Sequence, residues 1–110
     1  MMADLIKTVQ LMTELEKRNA LAKHGILHSR NEGYGVIAEE IDEVMEQINI
    51  VNRYFESLIR VIRYDLRELD SDLKKIKNSA MLAACECIQV AAVAQRFIDM
   101  VEKEDNHGES

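Results

Sequence analysis

Proline and tryptophan are absent from this chain, and glycine is absent between Gly35 and Gly108. That span therefore lacks both strong helix breakers, the residue without an N–H and the residue of highest backbone entropy. Aromatic residues are scarce, two Phe and three Tyr, whereas Ile, Leu, Val, Met and Ala are plentiful. Such a composition suits packed helices and supplies little for a sheet. No apolar run approaches the roughly 20 residues of a membrane span. The opening MMADLIKTVQLMTELEK mixes apolar and charged residues and has no signal-peptide core. Only two cysteines occur, Cys85 and Cys87. Two positions apart on a helix, their side chains diverge, so reduced thiols acting as small packing residues are expected.

Positive charge is also in short supply. Fourteen basic residues face 20 acidic ones, a net charge of −6. That excludes a general binder of nucleic acid polymers, which displays net basic charge. A nucleotide ligand remains open, because Mg²⁺ mediates between carboxylates and phosphates. A soluble, cytoplasmic protein with no membrane partner is the expectation. At 110 residues the chain has length for one domain. A domain this small buries little of its surface, so self-association is expected to extend its core.

Apolar periodicity places a first helix over Ala3 to Lys23, with Leu5, Val9, Met12 and Ala20 near one face. His24-Gly25 ends it. Ser29 with Glu32 fits a capping box, opening a second helix that reaches Ile50 with Ile37, Ile41, Val44 and Ile48 as its stripe. Asn49 and Asn52 mark a candidate break. A third stretch covers Arg53 to Leu69, with Phe55, Leu58, Ile59, Ile62, Leu66 and Leu69 inward. Asp70-Ser71-Asp72 reads as a boundary before a short polar stretch, Leu73 to Lys77. Asn78 or Ser79 caps the last helix, which runs to Lys103. A single helical domain over residues 1–103 and a frayed polar tail over 104–110 follow, the whole being all-α with four helices.

At about 100° per residue, Leu82, Val90, Val93, Phe97, Met100 and Val101 gather into one stripe of the last helix. Glu86 falls in its middle and Gln89 on its shoulder. A lone buried carboxylate costs several kcal/mol, so Glu86 must be paired or must coordinate a cation. On the second helix, Glu39, Asp42 and Glu46 project to the solvated side, whereas Glu40 and Glu43 lie along the edge of the apolar stripe. Three residues apart, Glu40 and Glu43 can aim at one point. Joined by a carboxylate from a facing helix, they make the hard oxygen set that Mg²⁺ or Mn²⁺ takes. An E-x-x-E pair by itself is common on solvated helix faces.

The segment EGYGVIAEEIDEV, its Glu40-Ile-Asp-Glu43 pair, the preceding His28-Ser29 and the later Glu86-Cys-Ile-Gln89 resemble the MazG-like group of all-α nucleoside triphosphate pyrophosphohydrolases. The resemblance spans residues 1–103 and implies a four-helix MazG-like bundle, completed by a homo-oligomer, dimer or tetramer. It implies an E-x-x-E and an E-x-x-D holding Mg²⁺, with cleavage of a nucleoside triphosphate into monophosphate and pyrophosphate. Carried onto this chain, Glu40, Glu43 and Glu86 are metal ligands and Gln89 stands where that family has aspartate. Glu39 or Glu43 orients the attacking water. Because ligating carboxylates must be ionised, metal affinity is expected to fall as pH falls. The neutral Gln89 and a Glu43–Glu86 interval longer than the family's are departures. Either departure fits a specialised branch or a relative that has lost hydrolysis, and Gln89 favours a second reading, a non-catalytic helical interaction or nucleotide-binding protein with a degenerate metal site.

Other polar positions carry weaker signals. Glu16 and Asn19, on the inner stripe of the first helix, suit either a base or sugar pocket or contacts between helices. Arg53, Arg60, Arg63 and Arg67 recur along the third stretch. Arg60 and Arg63 are candidates for receiving a triphosphate from a neighbouring subunit, since guanidinium forks suit phosphate, although an exposed ion-pairing face explains them as well. His24 and His28 lack the spacing and the companions of a zinc site. Gly33 and Gly35 fit either a close ligand or close helix packing.

Overall fold

The computed structural model describes residues 1–64 and 69–108. The described chain is all helical and holds three helices: α1 (Met2–His24), α2 (Arg30–Arg63) and α3 (Leu69–Gly108). The turn between α1 and α2 follows its sequence signals. Gly25 takes φ 77°, and its N–H donates to the Leu21 carbonyl, closing α1. A side chain there would carry the left-handed penalty that glycine escapes. Ser29 Oγ then accepts the backbone N–H of Glu32 at 3.1 Å and caps α2. The helix starts two residues before the capping-box glutamate.

Two expected interruptions are absent, which is why three helices stand where four were expected. Asn49 and Asn52 lie inside α2 with exposed side chains, and Asn78 and Ser79 lie inside α3. Asparagine and serine cost only a few tenths of a kcal/mol each relative to ordinary helix formers, too little to stop a helix that packing on both sides holds. Asp70 and Asp72 belong to the first turn of α3, where negative charge is favourable. At its other end α3 continues through the expected tail, and Glu104 ion-pairs with Arg30 at 3.1 Å. Leu66 and Arg67 lie outside the described residues, as do positions 109–110.

The chain forms two compact units, residues 1–41 with 87–110, and residues 42–86. In the first, Leu27 in the turn is 2% exposed, and Ala92 and Val93 are buried. Gly33 admits the Phe97 ring so closely that a Cβ would collide with it, so this glycine serves helix packing; Gly35 has nothing near it. Lys17 reaches Asp99 at 3.5 Å. The expected stripe of α1 is not buried: Leu5, Val9 and Met12 are exposed, and no residue of α1 is buried. Periodicity shows which face suits burial, not that a neighbour covers it.

In the second unit α2 and α3 run antiparallel. Ser57 Oγ donates to Asp72 Oδ2 at 3.0 Å, and the Lys75 ammonium sits 4.9 Å from the Tyr54 ring centroid. Three residues back along α2 thus correspond to three residues forward along α3. The buried apolar residues described there are Val44 and Val61, and Asp72 and Ser79 are buried as well. Ile48, Phe55, Ile59 and Ile62, expected inward, are exposed, as is Leu82 of the α3 stripe. Cys85 and Cys87 are free but exposed, so they are not packing residues. By length and composition, α3 is apolar enough to cross a membrane, a property that the residue pattern hides because Glu86 and Gln89 interrupt the run.

Candidate metal centre

The antiparallel register decides which carboxylates meet. Continuing it from the Ser57–Asp72 contact by whole turns brings Glu43 of α2 level with Glu86 of α3. Glu40 stands one turn before Glu43 on the same helix, so helix geometry alone sets it alongside. Glu40, Glu43 and Glu86 each present one carboxylate oxygen, and these oxygens lie within 4.8 Å of one another. Glu40 and Glu86 are half-buried, and Glu43 is exposed.

The donor set fits a small divalent cation. Octahedral Mg²⁺ at 2.0–2.1 Å from its ligands holds neighbouring oxygens about 3 Å apart and opposite ones about 4.2 Å apart. The three oxygens need close by only a fraction of their separation to share one ion. Three carboxylates gathered this tightly repel one another, and a divalent cation offsets that repulsion. Gln89, three residues beyond Glu86 on α3, offers a neutral amide oxygen, a hard ligand that adds no charge.

A cavity of about 670 Å³ opens in the first unit, and Glu16, Asn19, Glu39, Glu40 and Gln89 all line it. Its volume falls within the range of small-molecule sites. Glu40 therefore belongs both to the acidic cluster and to the cavity wall. Glu39 is exposed, as expected from its place on the helix. His24 also lines the cavity, without a metal-binding companion among the described residues.

Arg60 and Arg63 stand apart. Both are exposed. They follow Glu43 on one continuous helix by about 26 and 30 Å at 1.5 Å per residue, so they do not reach the acidic cluster of their own chain. Arg53 is likewise exposed.

Sequence reasoning missed Arg96. It lines the same cavity and donates from Nη2 to the Gly25 carbonyl at 2.9 Å. The signal was present, since Arg96 follows Gln89 by seven residues, about two turns, and so occupies the same shoulder of the α3 stripe. An arginine on such a shoulder ordinarily reads as a long side chain reaching solvent. Lys23, also in the wall, gave no signal beyond helix-end charge.

No protein-family model, curated protein or solved structure matches the chain.

Proposed function

We propose that this protein is a Mg²⁺-dependent nucleoside triphosphate pyrophosphohydrolase of the MazG-like kind, releasing a monophosphate and pyrophosphate in the service of the nucleotide pool. One observation carries the reading: the Glu40, Glu43 and Glu86 oxygens converge within 4.8 Å, and Glu40 also walls a cavity of nucleotide size. Glu40, Glu43 and Glu86 would hold the cation, and Gln89, three residues after Glu86 on α3, would offer its amide oxygen. A bound Mg²⁺ supplies neutralising charge to the phosphates and a more acidic water. Glu39, in the cavity wall but outside the triad of ligands, would orient the attacking water and take up its proton. Mn²⁺ satisfies the same oxygen donors.

The test is pyrophosphate release from a panel of ribo- and deoxyribonucleoside triphosphates, with Mg²⁺, with Mn²⁺ and with chelator. Release that requires the metal is the expected result. No release from any member of the panel would transfer the proposal to the non-catalytic nucleotide-binding reading, which the neutral Gln89 favours.

A homo-oligomer belongs to the same proposal. Phe55 is 66% exposed and Ile62 60% exposed, and with Ile48 and Ile59 they recur at three-, four- and seven-residue spacing along α2. Two helices bury too little to cover so wide an apolar arc, whereas a second hairpin completes a four-helix bundle. Each such side chain contributes roughly 1.5–3 kcal/mol when fully covered. Sedimentation at micromolar concentration is expected to give at least twice the 12.6 kDa chain mass, and Phe55→Glu to shift it toward the monomer. A wild-type monomer under these conditions would remove the oligomer from the proposal. In this proposal the apolar length of α3 belongs to the core of a cytoplasmic bundle. Glu86 in its middle supports this, because a carboxylate at a bilayer centre costs about 2.5–3.5 kcal/mol.

A further inference from the structure

Arg96 is 7% exposed and lines the cavity. Its Nη2 is engaged by the Gly25 carbonyl, but its Nε is buried without a hydrogen-bond partner among the described residues. The ion pairs among those residues do not include Arg96. A charged donor withdrawn from water and left unsatisfied is costly, and such groups ordinarily have an acceptor. Because Arg96 lines the cavity, a ligand there can bring an acceptor to its guanidinium.

The wall indicates what kind of ligand brings it. Glu16, Glu32, Glu39 and Glu40 outnumber Lys23 and Arg96, so the lining as a whole repels a bare polyphosphate. The same wall also carries apolar side chains: Leu27 from the turn, Val36 from α2, and Ala92 and Val93 one turn before Arg96 on α3. An apolar recess with one fixed donor suits a flat ring that carries an acceptor on its edge. Position agrees. Seven residues of α3, about 10 Å, separate Gln89 from Arg96. That is comparable to the reach of a nucleoside from its 5′ oxygen to the far edge of its base.

We propose that Arg96 makes this end of the cavity a subsite for bases bearing a carbonyl oxygen at C6 of a purine or C4 of a pyrimidine, namely guanine, thymine or uracil. Arg96 donates to that oxygen. Adenine presents an amino donor at the equivalent edge, which meets Arg96 donor to donor and is rejected. The inference rests on the nucleotide reading above but concerns binding rather than turnover.

The test measures equilibrium binding of matched triphosphates to the full-length protein in Mg²⁺. Inosine triphosphate is compared with purine riboside triphosphate, and uridine triphosphate with its 4-deoxo pyrimidinone analogue, each pair differing at the carbonyl. At least tenfold weaker binding of each analogue is expected. Arg96→Lys keeps the charge and the apolar stem but loses the fixed fork, so it is expected to reduce each ratio to about twofold or less. It should leave the affinity for inorganic tripolyphosphate unchanged. Should that variant fail to fold, the wild-type ratios decide alone. Equal affinity within both pairs would overturn the proposal, as would an Arg96→Lys variant that loses tripolyphosphate while keeping the base ratios. Hydrolysis without carbonyl preference would sink this inference and leave the hydrolase reading intact. Carbonyl preference without hydrolysis would do the reverse, and no binding of any triphosphate would remove both.

Discussion

Replacing Glu86 with glutamine is expected to lower metal-dependent pyrophosphate release by about a thousandfold while leaving the helical content unchanged. The substitution preserves shape and removes one of three charges that converge within 4.8 Å. A metal's stabilisation of transition-state charge is worth several kcal/mol, and each 1.36 kcal/mol is tenfold in rate, so losing about 4 kcal/mol gives a factor near a thousand. Binding should report the same change without turnover. A ligand that binds only the folded state stabilises it by about 2.7 kcal/mol at a hundred times its Kd. Wild type is therefore expected to melt several degrees higher in saturating Mg²⁺, and Glu86→Gln to melt at nearly the same temperature with or without it. Equal release from variant and wild type would take Glu86 out of the chemistry. An equal Mg²⁺-induced rise in both would take it out of the ligand set.

The second large effect concerns packing. Gly33→Ala is expected to destabilise the fold by about 2 kcal/mol, lowering Tm by roughly 10 °C, because the new Cβ collides with the edge of the Phe97 ring. The ring edge is not a flexible chain end, so the helices must separate or Phe97 must leave its rotamer. Helix propensity favours alanine by up to about 1 kcal/mol, less than the overpacking term, so the net sign is destabilising. Gly35→Ala gives the internal control. Nothing lies within 4 Å of its Cβ, so propensity acts alone and stability should rise by a few tenths to about 1 kcal/mol. Thermal melts of the two variants should therefore shift in opposite directions. Phe97→Leu is expected to recover much of the Gly33→Ala loss by vacating the ring's space. If both alanines shift Tm alike, the close approach at Gly33 does not govern this packing.

Several features are legible in the residues alone. Gly25 and Ser29 announce the turn through a left-handed position and a hydroxyl cap, both local devices that a few residues specify. Glu40 and Glu43 read as a pair because three residues on a helix always return to nearly the same side. Glu86 stands out because an acid in an apolar stripe demands an explanation. The apolar stripe of α1 and the half of α2 beyond Val44 are less informative, because periodicity cannot say whether a neighbour is there. The expected break at Asn49 and the expected helix start at Asn78 or Ser79 fail for a related reason. Their local penalties are tenths of a kcal/mol, and packing contributions along a long helix exceed them.

By itself, the sequence determined that the chain is helical and which carboxylates were candidates, since breakers, caps and 100° steps are properties of one segment at a time. The tertiary structure alone decided that Glu43 lies level with Glu86, that Phe97 fills the space Gly33 leaves, and that Arg96 is buried in a cavity wall with an unsatisfied Nε. Each of these depends on the register between helices. Register is set by the sum of many weak contacts across an interface, and no single stretch of sequence contains that sum.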